Sequence, residues 1–75
     1  MKVKIYGTED CRFCVAAKTL AEKLELDFEY IDAASDMQGF SKLFPSARTV
    51  PQIMIDDTHI GGYRDFEEVM ETMCE

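Results

Sequence analysis

Gly7-Thr8-Glu9-Asp10-Cys11-Arg12-Phe13-Cys14 is the stretch on which the reading of this chain turns. A strand pattern, Lys2-Val3-Lys4-Ile5-Tyr6, leads into the turn Gly7–Asp10. A helical pattern follows from Arg12 to about Leu24, with Ala17, Leu20, Ala21 and Leu24 at i, i+3, i+4 and i+7. The two cysteines therefore sit at the mouth of a helix. The first sulfur lies at the positive end of the helix dipole, near backbone N–H groups with no partner in the helix. Such groups favour a thiolate over a thiol, so Cys11 is expected to be the more reactive of the two. Cys14 lies one turn further in, within reach of a disulfide to Cys11. This is the arrangement that dithiol–disulfide exchange requires.

Composition narrows the alternatives. Seventy-five residues allow one small domain and a modest core. The formal charge of -7, from 15 acidic and 8 basic residues, argues against nucleic acid as a partner. No apolar run approaches a membrane span. The chain opens in a strand pattern rather than in a signal-peptide apolar segment, so nothing points to secretion. Three cysteines without an export signal suggest redox or metal chemistry rather than a disulfide framework. A closed zinc site needs four ligands, and Cys74 and His59 are not paired at ligand spacing with Cys11 and Cys14.

Further along, Asp27–Asp32 reads as a strand, with Phe28 and Tyr30 on one face and Glu29 on the other. Ala33 to about Phe44 reads as a weaker helix interrupted by Gly39 and ended by Pro45. Ser46–Val50 is a loop. Gln52–Ile55 is nearly all apolar, as a central strand would be. Asp56-Asp57 forms a hairpin turn into Thr58-His59-Ile60, and Gly61-Gly62 breaks that strand. A last helix is expected from about Asp65 to Cys74, with Phe66, Val69, Met70 and Met73 as its apolar stripe. Asp65 with Glu68 reads as its capping box. The order β-α-β-α-β-β-α predicts an α/β fold, a four-stranded mixed sheet flanked by three helices.

Three segments together resemble the glutaredoxin family of the thioredoxin-fold superfamily, dithiol type. They are Cys11-Arg12-Phe13-Cys14, Thr49-Val50-Pro51-Gln52-Ile53, and His59-Ile60-Gly61-Gly62-Tyr63-Arg64-Asp65-Phe66. They occur in the family's order and cover nearly the whole chain. The resemblance implies a single thioredoxin-like domain over residues 1–75 and a glutathione-dependent disulfide oxidoreductase. Cys11 would be the nucleophile and Cys14 the resolving thiol. Pro51 would be cis, turning the backbone of Val50 towards the cysteinyl part of glutathione, as in strand addition. Gly61-Gly62 and the start of the last helix would receive its γ-glutamyl end, with Asp65 facing the ammonium. By the same resemblance Arg12, Phe13, Thr49, Gly62, Tyr63 and Arg64 would complete the glutathione contacts, and Gln38 would reach the glycine carboxylate with help from Arg48 or Lys42.

The chain also departs from the family's usual pattern. Arg12 and Phe13 replace a common Pro-Tyr pair, and Arg12 places a positive charge beside Cys11. Thr8 stands where many relatives carry a lysine, and Arg64 where Asp or Ser is frequent. Tyr6 and the pair Met70 and Met73 read as core. His59 reads as a solvent-facing strand residue, and Cys74 as incidental. The resemblance implies a cytoplasmic monomer with no tightly bound cofactor and with glutathione as co-substrate. Its other partners would be disulfide-containing proteins, ribonucleotide reductase among them. Two other readings stay open: a glutaredoxin-like protein fed by thioredoxin reductase, and a carrier that holds an iron–sulfur cluster between two subunits.

Overall fold

Alternation along the first strand decides which way the sheet faces. In a computed structural model that describes residues 2–45 and 49–73, β1 runs over Lys2–Gly7. Val3 and Ile5 point to one face and are fully buried, while Tyr6 points to the other. β2 (Asp27–Asp32) pairs parallel to β1, placing Ile5 opposite Tyr30 and Gly7 opposite Asp32. β3 (Gln52–Ile55) pairs antiparallel on the other side of β1, and β4 (Thr58–Gly61) antiparallel on β3. The strand order is β2-β1-β3-β4. Apart from the residues that close them, the four strands lie where the alternation predicts.

Each face of the sheet has its own core. α1 (Arg12–Lys23) and α3 (Tyr63–Met73) cover one face. There Ala17 and Ala21 meet Val3, Ile5 and Ile53, with Phe66 and Met70 from α3. α2 (Met37–Leu43) lies on the other, where Tyr6, Ala33 and Phe44 pack with Phe40, Val50 and Met54. Tyr6 meets Phe44 edge-on at 5.2 Å between ring centroids, an arrangement that favours aromatic pairs. No helix among the described residues is long and apolar enough to cross a membrane.

Two helix starts differ from the expectation. α2 begins at Met37, not at Ala33. Asp32 is the cause: its carboxylate accepts from the Ala34 N–H at 3.0 Å and the Ser35 hydroxyl at 2.9 Å, folding the chain into a turn. Asp36 then caps the helix through the Gly39 N–H at 3.1 Å. α3 begins two residues before Asp65. Gly62 is its cap, its carbonyl accepting from the Phe66 N–H at 3.1 Å, and Asp65 sits in the first turn with its carboxylate reaching back to the Gly62 N–H at 3.2 Å. The acid of the box is thus Asp65 rather than Glu68. The expectations for Arg48 and Cys74, and for the side chain of Met73, fall outside the described residues.

The end of α1 carries a left-handed residue that is not glycine. The Leu26 N–H bonds the Ala21 carbonyl at 3.0 Å and the Glu25 N–H bonds the Glu22 carbonyl at 3.1 Å, with Glu25 at φ 56°. This is the paired bonding that usually places glycine at that position. Glu25→Gly is expected to stabilise the fold by about 0.5–1 kcal/mol, by relieving the left-handed conformation of a residue with a Cβ. Urea unfolding measures it. A loss of stability would mean that unfolded-state entropy outweighs the relieved strain.

Candidate functional site

The first turn of α1 grows directly out of β1, so the sheet holds both cysteines from below. Cys11 is the cap residue. Its sulfur accepts from the Cys14 N–H at 3.2 Å, and its carbonyl from the Val15 N–H at 3.1 Å. Its thiol in turn donates to the Val50 carbonyl at 3.5 Å. Cys11 is half-buried, Cys14 is fully buried, and both are free thiols. The carbonyl that the sequence assigns to a ligand's backbone is thus engaged by Cys11 in this reduced state.

Burial separates the two sulfurs chemically. It pushes the Cys14 thiol up to about 11, and the hydrogen bond it shares with Cys11 adds to the rise. The Thr8 N–H and the Tyr30 hydroxyl act the other way on Cys14. Tyr30 lies on β2 behind the motif and donates to the Thr8 carbonyl at 2.9 Å. The sequence pattern places Tyr30 only on one face of β2, with Phe28. The signal for more was there: a phenolic hydroxyl on a buried strand face must find a partner.

Beside Cys11 lies an open groove of about 360 Å³. One wall is Thr49, Val50 and Pro51, with the Val50–Pro51 bond cis as the resemblance implied. The other wall is the start of α3, from Gly62 to Asp65. Phe13 closes one end, its ring 6.1 Å from that of Tyr63. Gly61 has φ 127°, and a Cβ there would strike the Asp65 carboxylate, so only glycine lets the chain turn into α3 here. The Tyr63 hydroxyl donates to Glu67 at 2.8 Å, which raises its pKa.

Eight of the ten residues expected to contact glutathione line this groove. Arg12 is exposed and does not line it. Gln38 lies on α2 beside Met37, Ser41 and Lys42, in a separate shallow depression. The Thr49–Pro51 wall is braced from behind. The Gln52 amide donates to the Thr49 carbonyl at 2.9 Å, and its oxygen meets His59 Nε2 at 2.8 Å. The His59 ring stands 4.5 Å from that of Phe44. His59 is exposed, as expected, yet it ties β4 to the wall. Among the described residues no group of three or more His, Cys, Asp or Glu is placed to hold a metal ion.

The glutaredoxin family model matches residues 3–60, from β1 into β4. Glutaredoxin 1 of Escherichia coli K12 is 40% identical over 77 residues, with 88% of each chain covered. The glutaredoxin of Haemophilus influenzae is 41% identical over 80 residues, covering 95% of this chain and 92% of that one. The structure of reduced E. coli glutaredoxin matches over the full length of both chains, with a TM-score of 0.82 at 35% identity. A reduced dithiol at a helix mouth, on a sheet of this topology and with these likenesses, makes the chain a member of the glutaredoxin family of thiol–disulfide oxidoreductases.

Proposed function

We propose that this chain reduces protein disulfides and glutathione mixed disulfides with electrons from glutathione. The observation that carries the reading is the half-buried Cys11 sulfur beside a groove that ends at a helix N-terminus. The Cys11 thiolate attacks one sulfur of a substrate disulfide. A Cys11–substrate bond forms, and the displaced thiolate takes a proton from water. Cys14, once ionised, attacks the Cys11 sulfur, releases the second substrate thiolate and closes the Cys11–Cys14 disulfide. One glutathione thiolate then attacks Cys11 and frees Cys14. A second attacks the glutathione sulfur of that mixed disulfide, releasing Cys11 and glutathione disulfide. Two electrons pass at each stage, and no metal or organic cofactor takes part.

The groove suits glutathione in its charge order. The N–H groups at the start of α3 suit the γ-glutamyl carboxylate, and Asp65 suits the neighbouring ammonium. The Val50 backbone suits the cysteinyl part once the Cys11 thiol lets go of its carbonyl. Phe13 and Tyr63 give the groove its aromatic surface. The setting is the cytoplasm and the protein works as a monomer. Its acceptors are protein disulfides, with that of ribonucleotide reductase among them.

Assays coupled to glutathione and its reductase should show turnover, and those coupled to thioredoxin reductase should not. The reverse would overturn the choice of donor. Cys11→Ser should abolish exchange in every assay. Cys14→Ser should lose reduction of protein disulfides and keep reduction of a glutathione mixed disulfide, because glutathione resolves Cys11 directly. Equal loss in both assays would remove the resolving role.

Alkylation separates the sulfurs by pH. Reduced protein treated with iodoacetamide near neutral pH should be modified on Cys11 before Cys14 in peptide maps. Cys14 should react only as pH approaches about 11, where its buried thiol ionises. Early labelling of Cys14 in folded protein would contradict its burial. Asp65→Asn keeps an oxygen for the Gly62 N–H but removes the charge. It should raise the KM for glutathione about two- to fivefold, the worth of an exposed ion pair, with the melting temperature nearly unchanged. An unchanged KM would take Asp65 out of the ligand's contacts.

A further inference from the structure

Behind the motif, three elements meet around the Cys14 sulfur. β1 ends at Gly7, where the backbone passes so close that a Cβ would lie 2.6 Å from the Tyr30 hydroxyl oxygen and 2.8 Å from Cys14 Sγ. Real side chains do not tolerate such contacts, so the glycine makes room for a phenol and a sulfur at one point. The Thr8 backbone and the Tyr30 hydroxyl both work against the rise in the Cys14 pKa. No polar side-chain atom buried among the described residues lacks a partner, and the Tyr30 hydroxyl meets this by donating to the Thr8 carbonyl.

We propose that Tyr30 is a catalytic residue of the resolving step: its hydroxyl turns from the Thr8 carbonyl to the Cys14 sulfur and, with the Thr8 N–H, holds the Cys14 thiolate. The inference rests on the dithiol reading above. The Cys14 thiolate arises twice in the cycle. It exists before it attacks the Cys11 mixed disulfide, and again when glutathione expels it from the Cys11–Cys14 disulfide. In both steps a charge appears on a sulfur that water does not reach. A donor aimed at that charge lowers the barrier more than it stabilises the neutral thiol. Thr8, whose carbonyl gives up the bond, is half-buried rather than enclosed.

Tyr30 is suited to donate a hydrogen bond rather than a proton. Burial, followed by the two cysteines, pushes its hydroxyl up to about 12, so it holds its proton near neutral pH. The atoms balance: the proton that Cys14 loses is matched by the one the departing substrate thiolate takes up, and the proton that glutathione loses by the one that returns to Cys14. The titratable groups that face this point are Cys11 and Cys14 from α1 and Asp32 from the end of β2, and Lys18 lies 5.7 Å above the Tyr30 ring. Asp32 disfavours the phenolate and so helps keep the donor protonated.

The test is Tyr30→Phe, which keeps the ring and removes the donor. Reduction of a protein disulfide, which needs Cys14, is compared with reduction of a glutathione mixed disulfide, which can bypass it. The ratio of the two rates is expected to fall about tenfold or more, the worth of a hydrogen bond to a charged group. The pH midpoint of the resolving step, followed by rapid mixing with a Cys11 mixed disulfide, should move upward. Cys14→Ser and Cys14→Ser/Tyr30→Phe should give the same rate, since nothing then remains for Tyr30 to hold. Where loss of the hydroxyl weakens the fold, 3-fluorotyrosine placed at position 30 supplies a stronger donor of nearly the same shape, and should move the midpoint downward. An unchanged ratio and midpoint in both proteins would overturn the role of Tyr30. Absence of any Cys14-dependent reduction in the unmodified protein would overturn the dithiol reading, and this inference with it.

Discussion

Cys11 stands where a helix ordinarily recruits an oxygen. Ser, Thr, Asp and Asn dominate the cap position because their short side chains accept strongly from the first-turn N–H groups. A neutral thiol accepts only weakly. A thiolate is a charge-assisted acceptor and a much better cap. The hydrogen bond from the Cys14 N–H to the Cys11 sulfur closes the first turn of α1. The rest of the structure preserves this cap. β1 supplies the rigid approach, its carbonyls and N–H groups paired on both sides. Ala17 and Ala21 are small enough to let α1 lie close on the sheet, which fixes where the cap points.

The same packing makes the two cysteines unequal. One turn of helix carries the chain from the half-buried Cys11 to the fully buried Cys14. Nothing in the Cys-x-x-Cys spacing demands that difference. It follows from β1 and β2 passing beneath the second cysteine while the Thr49–Pro51 wall stands beside the first. The outer sulfur is partly open and the inner one is enclosed. The difference in exposure is thus set by the depth of a single helical turn in the sheet.

How much of this could be read from residue order depends on the range of the forces involved. The strands and α1 were legible because period-2 and period-3.6 patterns are local and strong there. The start of α2 was not, because Asp32 and Asp36 can each cap a helix, and only the structure shows Asp32 closing a turn on the Ala34 N–H and Asp36 capping the helix at the Gly39 N–H. For α3, Gly62 with Asp65 and Asp65 with Glu68 share one spacing, and a glycine cap leaves no side-chain signature to choose between them. The groove was legible through its motifs, since Gly-Gly and the segment before Pro51 mark close backbone approach. Gln38 was carried in by motif position alone, and the placement of α2 leaves it in a separate depression. Tyr30 was hidden for another reason. Its partner is a backbone carbonyl 22 residues earlier, and only the parallel register of β1 and β2 brings the two together.

The groove wall raises the last question of balance. In this wall the Val50 carbonyl faces Cys11, and the Thr49 carbonyl carries the anchoring. Gln52 is the buried polar residue that takes the Thr49 carbonyl from behind, and His59 on β4 holds the Gln52 oxygen in turn. Phe44, at the end of α2, stands against the His59 ring from the opposite side of the sheet to Cys14. The second hydrophobic cluster thus stiffens one wall of the site just as the first sets the depth of the cysteines. A small sheet with a core on each face can position a dithiol from one side and a groove wall from the other. That explains why so short a chain needs helices on both faces: α2, though only 7 residues long, closes the cluster on which the wall rests.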